Sequence, residues 1–185
     1  IINKKKYTPG KAINMGIGCM PSDYTIVLSS HCIPASKNWI TEFVDFMNEN
    51  ISLVAAGGRQ LPLPGTNPAN FIDLHNTFRN ESKIYKSDPY LSNANAIYRT
   101  SVLLKNKFNE HVSNIEDQLW ANTIIKKMKK QNIIGYTNQA EVFHYHGIHQ
   151  HLNPSTRAIS TGKTIENLYR NKWRGTNFLY KENIN

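Results

Sequence analysis

Two adjacent carboxylates, Glu116-Asp117, head a run in which Leu119, Trp120, Ile124, Ile125 and Met128 recur at helical spacing. A helix start favours negative charge, so the pair reads as dipole partners. Exposed at a cleft, it reads instead as a general base able to take a proton from a hydroxyl. Downstream, His144, His146, His149 and His151 crowd into eight residues. On a strand His144 and His146 face one side and can share a metal or phosphate ligand set. The plainer alternative is a histidine-rich surface loop. For a zinc site, cysteine or carboxylate ligands at matching spacing are missing. Ser29-Ser30-His31-Cys32 lies at the end of a β-rich run, the place where open α/β sheets bind ligands. His31 there is a ligand or a structural histidine. Gly57-Gly58-Arg59-Gln60 follows a second apolar run. Its glycines allow close backbone approach, and Arg59 suits clamping a phosphate or carboxylate.

The elements that must position these groups alternate between strand and helix. Tyr24–Ser29 reads as a buried strand ended by Pro34, and Ser36 as the N-cap of a helix carrying Trp39, Ile40, Phe43, Val44 and Met47. Ile51–Ala56 reads as a strand closed by Gly57-Gly58, and Leu61–Asn70 as a loop rich in Pro, Gly and Asn. A strand is expected over Asn93–Tyr98, a short helix near Ser101–Lys105, and short strands over Ile133–Tyr136 and Ala140–Phe143. Thr164–Tyr180 can form a helix, so 150–185 is expected as a helical tail on a single domain, 1–185. The alternation places the chain in the α/β class.

Composition narrows the partners. The 39% apolar share is that of a folded globular chain, and no run approaches the roughly 20 apolar residues that span a bilayer. Cys19 and Cys32 form no CxxC pair, so a reducing cytoplasm is the expected setting. The net charge of +9 gathers in Lys4-Lys5-Lys6, in Lys126-Lys127 with Lys129-Lys130, and in Arg170, Lys172 and Arg174. A solvated basic face, an anionic membrane surface and a phosphate-bearing substrate all fit that charge. No nucleic-acid module is recognisable, so no nucleic-acid partner is expected.

Four segments together resemble family 2 glycosyltransferases from about residue 8 to 147. Gly10-Lys-Ala-Ile-Asn-Met-Gly-Ile17 resembles their glycine-to-asparagine segment. Thr25-Ile-Val-Leu-Ser-Ser-His-Cys-Ile-Pro34, followed by Trp39, resembles the strand ending in their Asp-x-Asp motif. Phe108-Asn-Glu-His-Val and Ile115-Glu-Asp-Gln-Leu-Trp120 resemble their acceptor-side acidic motif, and Ala140-Glu-Val-Phe-His-Tyr-His146 their late histidine. Gly58-Arg-Gln-Leu-Pro62 and Ser92-Asn-Ala-Asn95 resemble a bacterial subgroup that assembles surface polysaccharides.

The resemblance implies a GT-A-like fold, a Rossmann-like mixed sheet flanked by helices. It also implies inverting transfer of a sugar from a nucleotide-diphosphate sugar to a glycan or lipid-linked acceptor hydroxyl. Carried over by position, Asp117 is the base with Glu116 beside it, and His144, for which His146 could substitute, holds a divalent cation, Mn2+ or Mg2+, with His31 a further candidate ligand. Lys11, Asn14, Ser29, His31, Arg59, Gln60, Asn93, Asn95 and Trp120 fall in the segments that contact donor or acceptor. Ser29 and His31 stand where the family carries the two acids of Asp-x-Asp. Imidazole binds Mn2+ or another transition ion but suits Mg2+ poorly, so a changed metal preference and metal-independent diphosphate stabilisation by His31 and basic groups both stay open. The family also places about two nucleotide-binding strands ahead of the segment at Gly10, so the sequence reads as the carboxy-terminal, N-terminally incomplete part of such an enzyme. Peripheral association at the inner face of the membrane, where lipid-linked acceptors reside, is the expected location. Two other readings stay open: a non-catalytic GT-A-like binding domain, and a histidine-rich metal-binding module.

Overall fold

A computed structural model describes residues 7–17, 19, 21–112 and 114–145. All of them fall in residues 1–149, one of the two units into which the chain divides. The expected tail over 150–185 and His146 lie outside the described residues.

A mixed sheet organises the unit. Its strands are β1 (Tyr24–Leu28), β2 (Cys32–Pro34), β3 (Ala55–Pro62), β4 (Lys83–Ile84), β5 (Asn95–Arg99) and β6 (Ile134–His144). They run in the order β1-β5-β3-β6-β2, with β4 also on β6. β3 and β6 are parallel, whereas β5 is antiparallel to both β1 and β3. The carboxyl ends of β1, β3 and β6 therefore share one edge of the sheet with the start of β5. Every strand-borne candidate residue lies at that edge.

Helices cover both faces. On one, α2 (Trp39–Glu49) lays Trp39, Phe43 and Met47 over Ala56, Ile97, Ala140 and Val142. On the other, Trp120, Ala121 and Ile124 of α5 (Glu116–Met128) pack with Leu103 of α4 (Thr100–Lys105), Ala55, Tyr98 and Ile134. Tyr98 sits edge-on to Trp120 and Phe108, at 5.1 and 5.5 Å between ring centroids, in the geometry that aromatic quadrupoles favour. The Arg99 guanidinium donates to the carbonyls of Met47, Ile51 and Leu53, gathering the end of α2 and the turn that follows.

The structure corrects several expectations. Gly57-Gly58 lie inside β3 instead of closing it. A Cβ on Gly58 would collide with the Asn95 amide, the Ala140 carbonyl and the Phe43 ring, so this glycine marks close packing rather than a turn. Ile51-Ser52 form the turn ahead of β3. The expected loop over Leu61–Asn70 is shorter, because β3 runs to Pro62 and α3 (Pro68–Thr77) begins behind an Asn67 cap with Pro68 at its first turn. α1 (Pro9–Gly16) uses the same device with Thr8, whose side chain accepts from Lys11 N. α2 starts behind Asn38 and not Ser36, whose Oγ accepts from Asn38 N at 3.1 Å. The two short runs after Ile133 form one strand, β6, whose register against β3 jumps. Between Gly58 and Gln60, two residues of β3 advance against five of β6, from Thr137 to Val142.

Candidate functional site

The acids come first because their setting is the most constrained. α5 starts at Glu116 behind Ile115, a β-branched residue held left-handed at φ 57 with no side-chain cap. Glu116 is buried, and its Oε1 accepts from Asn93 Nδ2 at 3.0 Å. Asp117 Oδ2 accepts from the Asn93 backbone N at 2.9 Å, and Oδ1 from Gln118 N at 2.8 Å. Tyr98 Oη donates to Asn93 Oδ1 at 2.6 Å, so one asparagine holds both carboxylates from a core tyrosine. Burial and then the charge of Glu116 push Asp117 up to about 6, against the lowering pull of the amides of Asn93 and Gln118. Burial and the same two acids push the Tyr98 phenol upward, which keeps it a neutral donor.

The next residue joins the acids to the second group. Ala94 O accepts from Ser29 N at 3.1 Å, directly beside the Asn93 amide that meets Asp117. Ser29 Oγ lies 3.0 Å from His31 Nδ1, and the His31 ring stacks on His144 at 4.8 Å between centroids, tilted by 21°. Cys32 and His144 are paired residues of the antiparallel β2–β6 ladder, which sends their side chains to one face. Tyr145 N donates to His31 O at 3.1 Å, tying the turn to the end of β6. Ligand atoms of His31, Cys32 and His144 all lie within 4.8 Å of one another. Burial pushes the Cys32 thiol up to about 12, so the metal-free protein carries a thiol there. The Mn2+ or Mg2+ implied by the sequence favours carboxylate and water oxygens, and no carboxylate belongs to this group among the described residues. These residues do not fit a hard ion.

The other candidates divide by what holds them. Gln60 is buried at the same edge, and its Nε2 has no hydrogen-bond partner among the described residues. Arg59 is committed to the protein itself, with Nη1 2.8 Å from Glu141 Oε1 and 2.9 Å from Asn80 Oδ1. Asn95 is a core staple, accepting from Trp39 Nε1 and donating to the carbonyls of Arg59 and Ala140. Asn93 positions the acids through both its side chain and its backbone. Asn14 is bound to Phe108 N, Phe108 O and Glu110, and Trp120 Nε1 donates to Asn106 O at 2.6 Å. Both border a cleft of about 630 Å³ flanking α5, together with His111 and Lys127. Lys11 is half-buried in the first turn of α1. The segment around Gly10 and Asn14 thus has a packing cause, since a Cβ on Gly10 would strike the Asn109 carbonyl.

The sequence pattern of Glycosyl transferase family 2 matches residues 1–106, more than half of the chain. The chain belongs to this family. The matched span holds the Ser29–His31 turn, Gln60 and the Asn93 loop, and ends ahead of Glu116-Asp117 and His144. No curated protein matches the sequence. Among solved structures, the mannosyltransferase PcManGT from Pyrobaculum calidifontis, in complex with GDP-Man and Mn2+, is similar with a TM-score of 0.57 at 12% identity. That likeness covers 90% of this chain and 46% of the other, so the chain spans less than half of that protein's length. It shows the fold, a GT-A arrangement. For this family 2 chain, Cys32 is the site member that sequence reasoning missed. Its adjacency to His31 was legible, but its pairing with His144 depends on the β2–β6 register.

Proposed function

We propose that this chain carries the acceptor-side chemistry of an inverting sugar transferase that uses a nucleotide-diphosphate sugar. The observation carrying this reading is the Ser92–Asn95 loop. It holds Asp117 through Asn93 and the Ser29–His31 turn through Ala94, so base and turn share one sheet edge. In the step proposed, an acceptor hydroxyl oxygen attacks the anomeric carbon as its proton passes to the Asp117 carboxylate. The bond from that carbon to the diphosphate oxygen breaks, and nucleoside diphosphate leaves with the electron pair. The Asn93 backbone amide orients Asp117, Glu116 accepts from the Asn93 side chain, and Gln60 Nε2 offers a buried donor at the same edge. No step is routed through a hard cation.

A glycan or lipid-linked acceptor, use in bacterial surface-polysaccharide assembly and a place at the cytoplasmic face of the membrane complete the proposal. A panel of nucleotide sugars tests it, read as nucleoside diphosphate released by the full chain. Asp117→Asn should lower turnover by roughly 100-fold or more, the usual worth of a general base. An unchanged rate in a folded Asp117→Asn protein removes the assignment. The exchange of acids for Ser29 and His31 favours a second reading, a GT-A-like domain that binds a sugar without turning it over. Saturable sugar binding with no product across the panel would establish that one.

A further inference from the structure

The histidine–cysteine group has a chemistry of its own. Cys32 and His144 are buried at 6% exposure each, and His31 is exposed beside them. Two imidazoles and a thiol form a soft to borderline donor set, which suits Zn2+ or Co2+ and disfavours Mg2+ and Mn2+. Tetrahedral zinc places nitrogen and sulfur ligands roughly 3.3–3.6 Å apart, given bond lengths of about 2.0–2.3 Å. Atoms already within 4.8 Å of one another need only small side-chain rotations to reach that spacing. The backbone is fixed by the β2–β6 pairing of Cys32 with His144 and by the bond from Tyr145 N to His31 O. Ser29 Oγ lies 3.0 Å from His31 Nδ1 and 3.3 Å from Nε2, so metal binding requires the ring to turn one nitrogen away from this hydroxyl, which can then hold the other.

We propose that His31, Cys32 and His144 form a zinc-type site, as the three ligands that the described residues supply. Binding releases the Cys32 thiol proton to solvent, leaving a thiolate on the ion. The ion's role, neutralising a donor diphosphate, rests on the sugar-transferase reading. Its binding does not.

Cobalt titration of the full chain in a Cys19→Ser background, which leaves Cys32 as the sole thiol, tests the site. One equivalent of Co2+ should give a near-ultraviolet thiolate-to-cobalt charge-transfer band, and Zn2+ should abolish it. Mn2+ should compete at least 100-fold more weakly than Zn2+. Cys32→Ser should remove the band. Because His31 is exposed, His31→Ala should keep the native circular dichroism while weakening Co2+ binding about tenfold or more. Cobalt binding without a sulfur band overturns the proposal, as does Mn2+ competing as well as Zn2+, or a His31→Ala protein with unchanged affinity. A sulfur band without nucleoside diphosphate release would leave the metal site standing and remove the transfer reading. Release without the band would do the reverse.

Discussion

Asp117 is where burial and function pull in the same direction. Its carboxyl sits at about 6 because burial and Glu116 penalise the charge more than two backbone amides favour it. A base so placed is mostly ionised at neutral pH yet basic enough to accept a proton. Turnover per unit substrate should therefore rise with pH through about 6 and level above it, and a flat profile from pH 5 to 8 would exclude Asp117 as the base. Stability should move the other way. The folded-state value lies above the ordinary aspartate value of 3.8, so the folded chain binds the extra proton between about 4 and about 6. Asp117 contributes stability that is full below about 4 and lost as pH rises through about 6. Asp117→Asn should flatten that slope and, at pH 7, stabilise by on the order of 1–2 kcal/mol, less than the full shift implies because an amide accepts fewer hydrogen bonds. Denaturant melts at pH 4, 5, 6 and 7 read both effects.

At the scale of elements, α5 decides the geometry of the acids, and it does so through an unfavourable start. Ile115 at φ 57 has a branched Cβ in the left-handed region and leaves the first amides of the helix without a side-chain cap. Asparagine tolerates that conformation and caps helices well. Ile115→Asn should stabilise the chain by about 1 kcal/mol after the loss of some apolar contact, measured as a shift in urea midpoint at constant slope. A destabilised variant would show that the Ile115 side chain matters more than its backbone. The elements also explain which strand boundaries were legible. β1 and β5 follow their β-branched and apolar runs, so sequence placed them within about two residues. β3 was misplaced because its glycines were read as a stop. Gly58 is required by the Asn95 amide and the Phe43 ring, which reach β3 from distant parts of the chain, whereas Gly57 has room for a Cβ.

At the scale of the whole molecule, the described charge is separated from the chemistry along α5. Lys126-Lys127 close the helix that Glu116-Asp117 open, which suits its dipole at both ends. The ten residues from Asp117 to Lys127, at 1.5 Å each, put the basic end about 15 Å along the helix from the acids, too far to contact a diphosphate beside Asp117. That placement favours a docking role for the basic end. The chain should sediment with anionic vesicles at low salt, release as salt shortens the Debye length, and ignore neutral vesicles. Equal binding to neutral vesicles would end the idea. The sequence by itself determined the α/β class, the acids at a helix start, the His31 turn at a strand end and the family likeness. Each of these is local, carried by periodicity, capping and adjacent residues. Only the tertiary structure decided that Asn95, Trp120 and Arg59 are held by the protein itself, because their partners lie far away in sequence. For the same reason it alone brought Cys32 to His144. A ladder register joins residues more than a hundred positions apart, and no spacing rule along the chain encodes it.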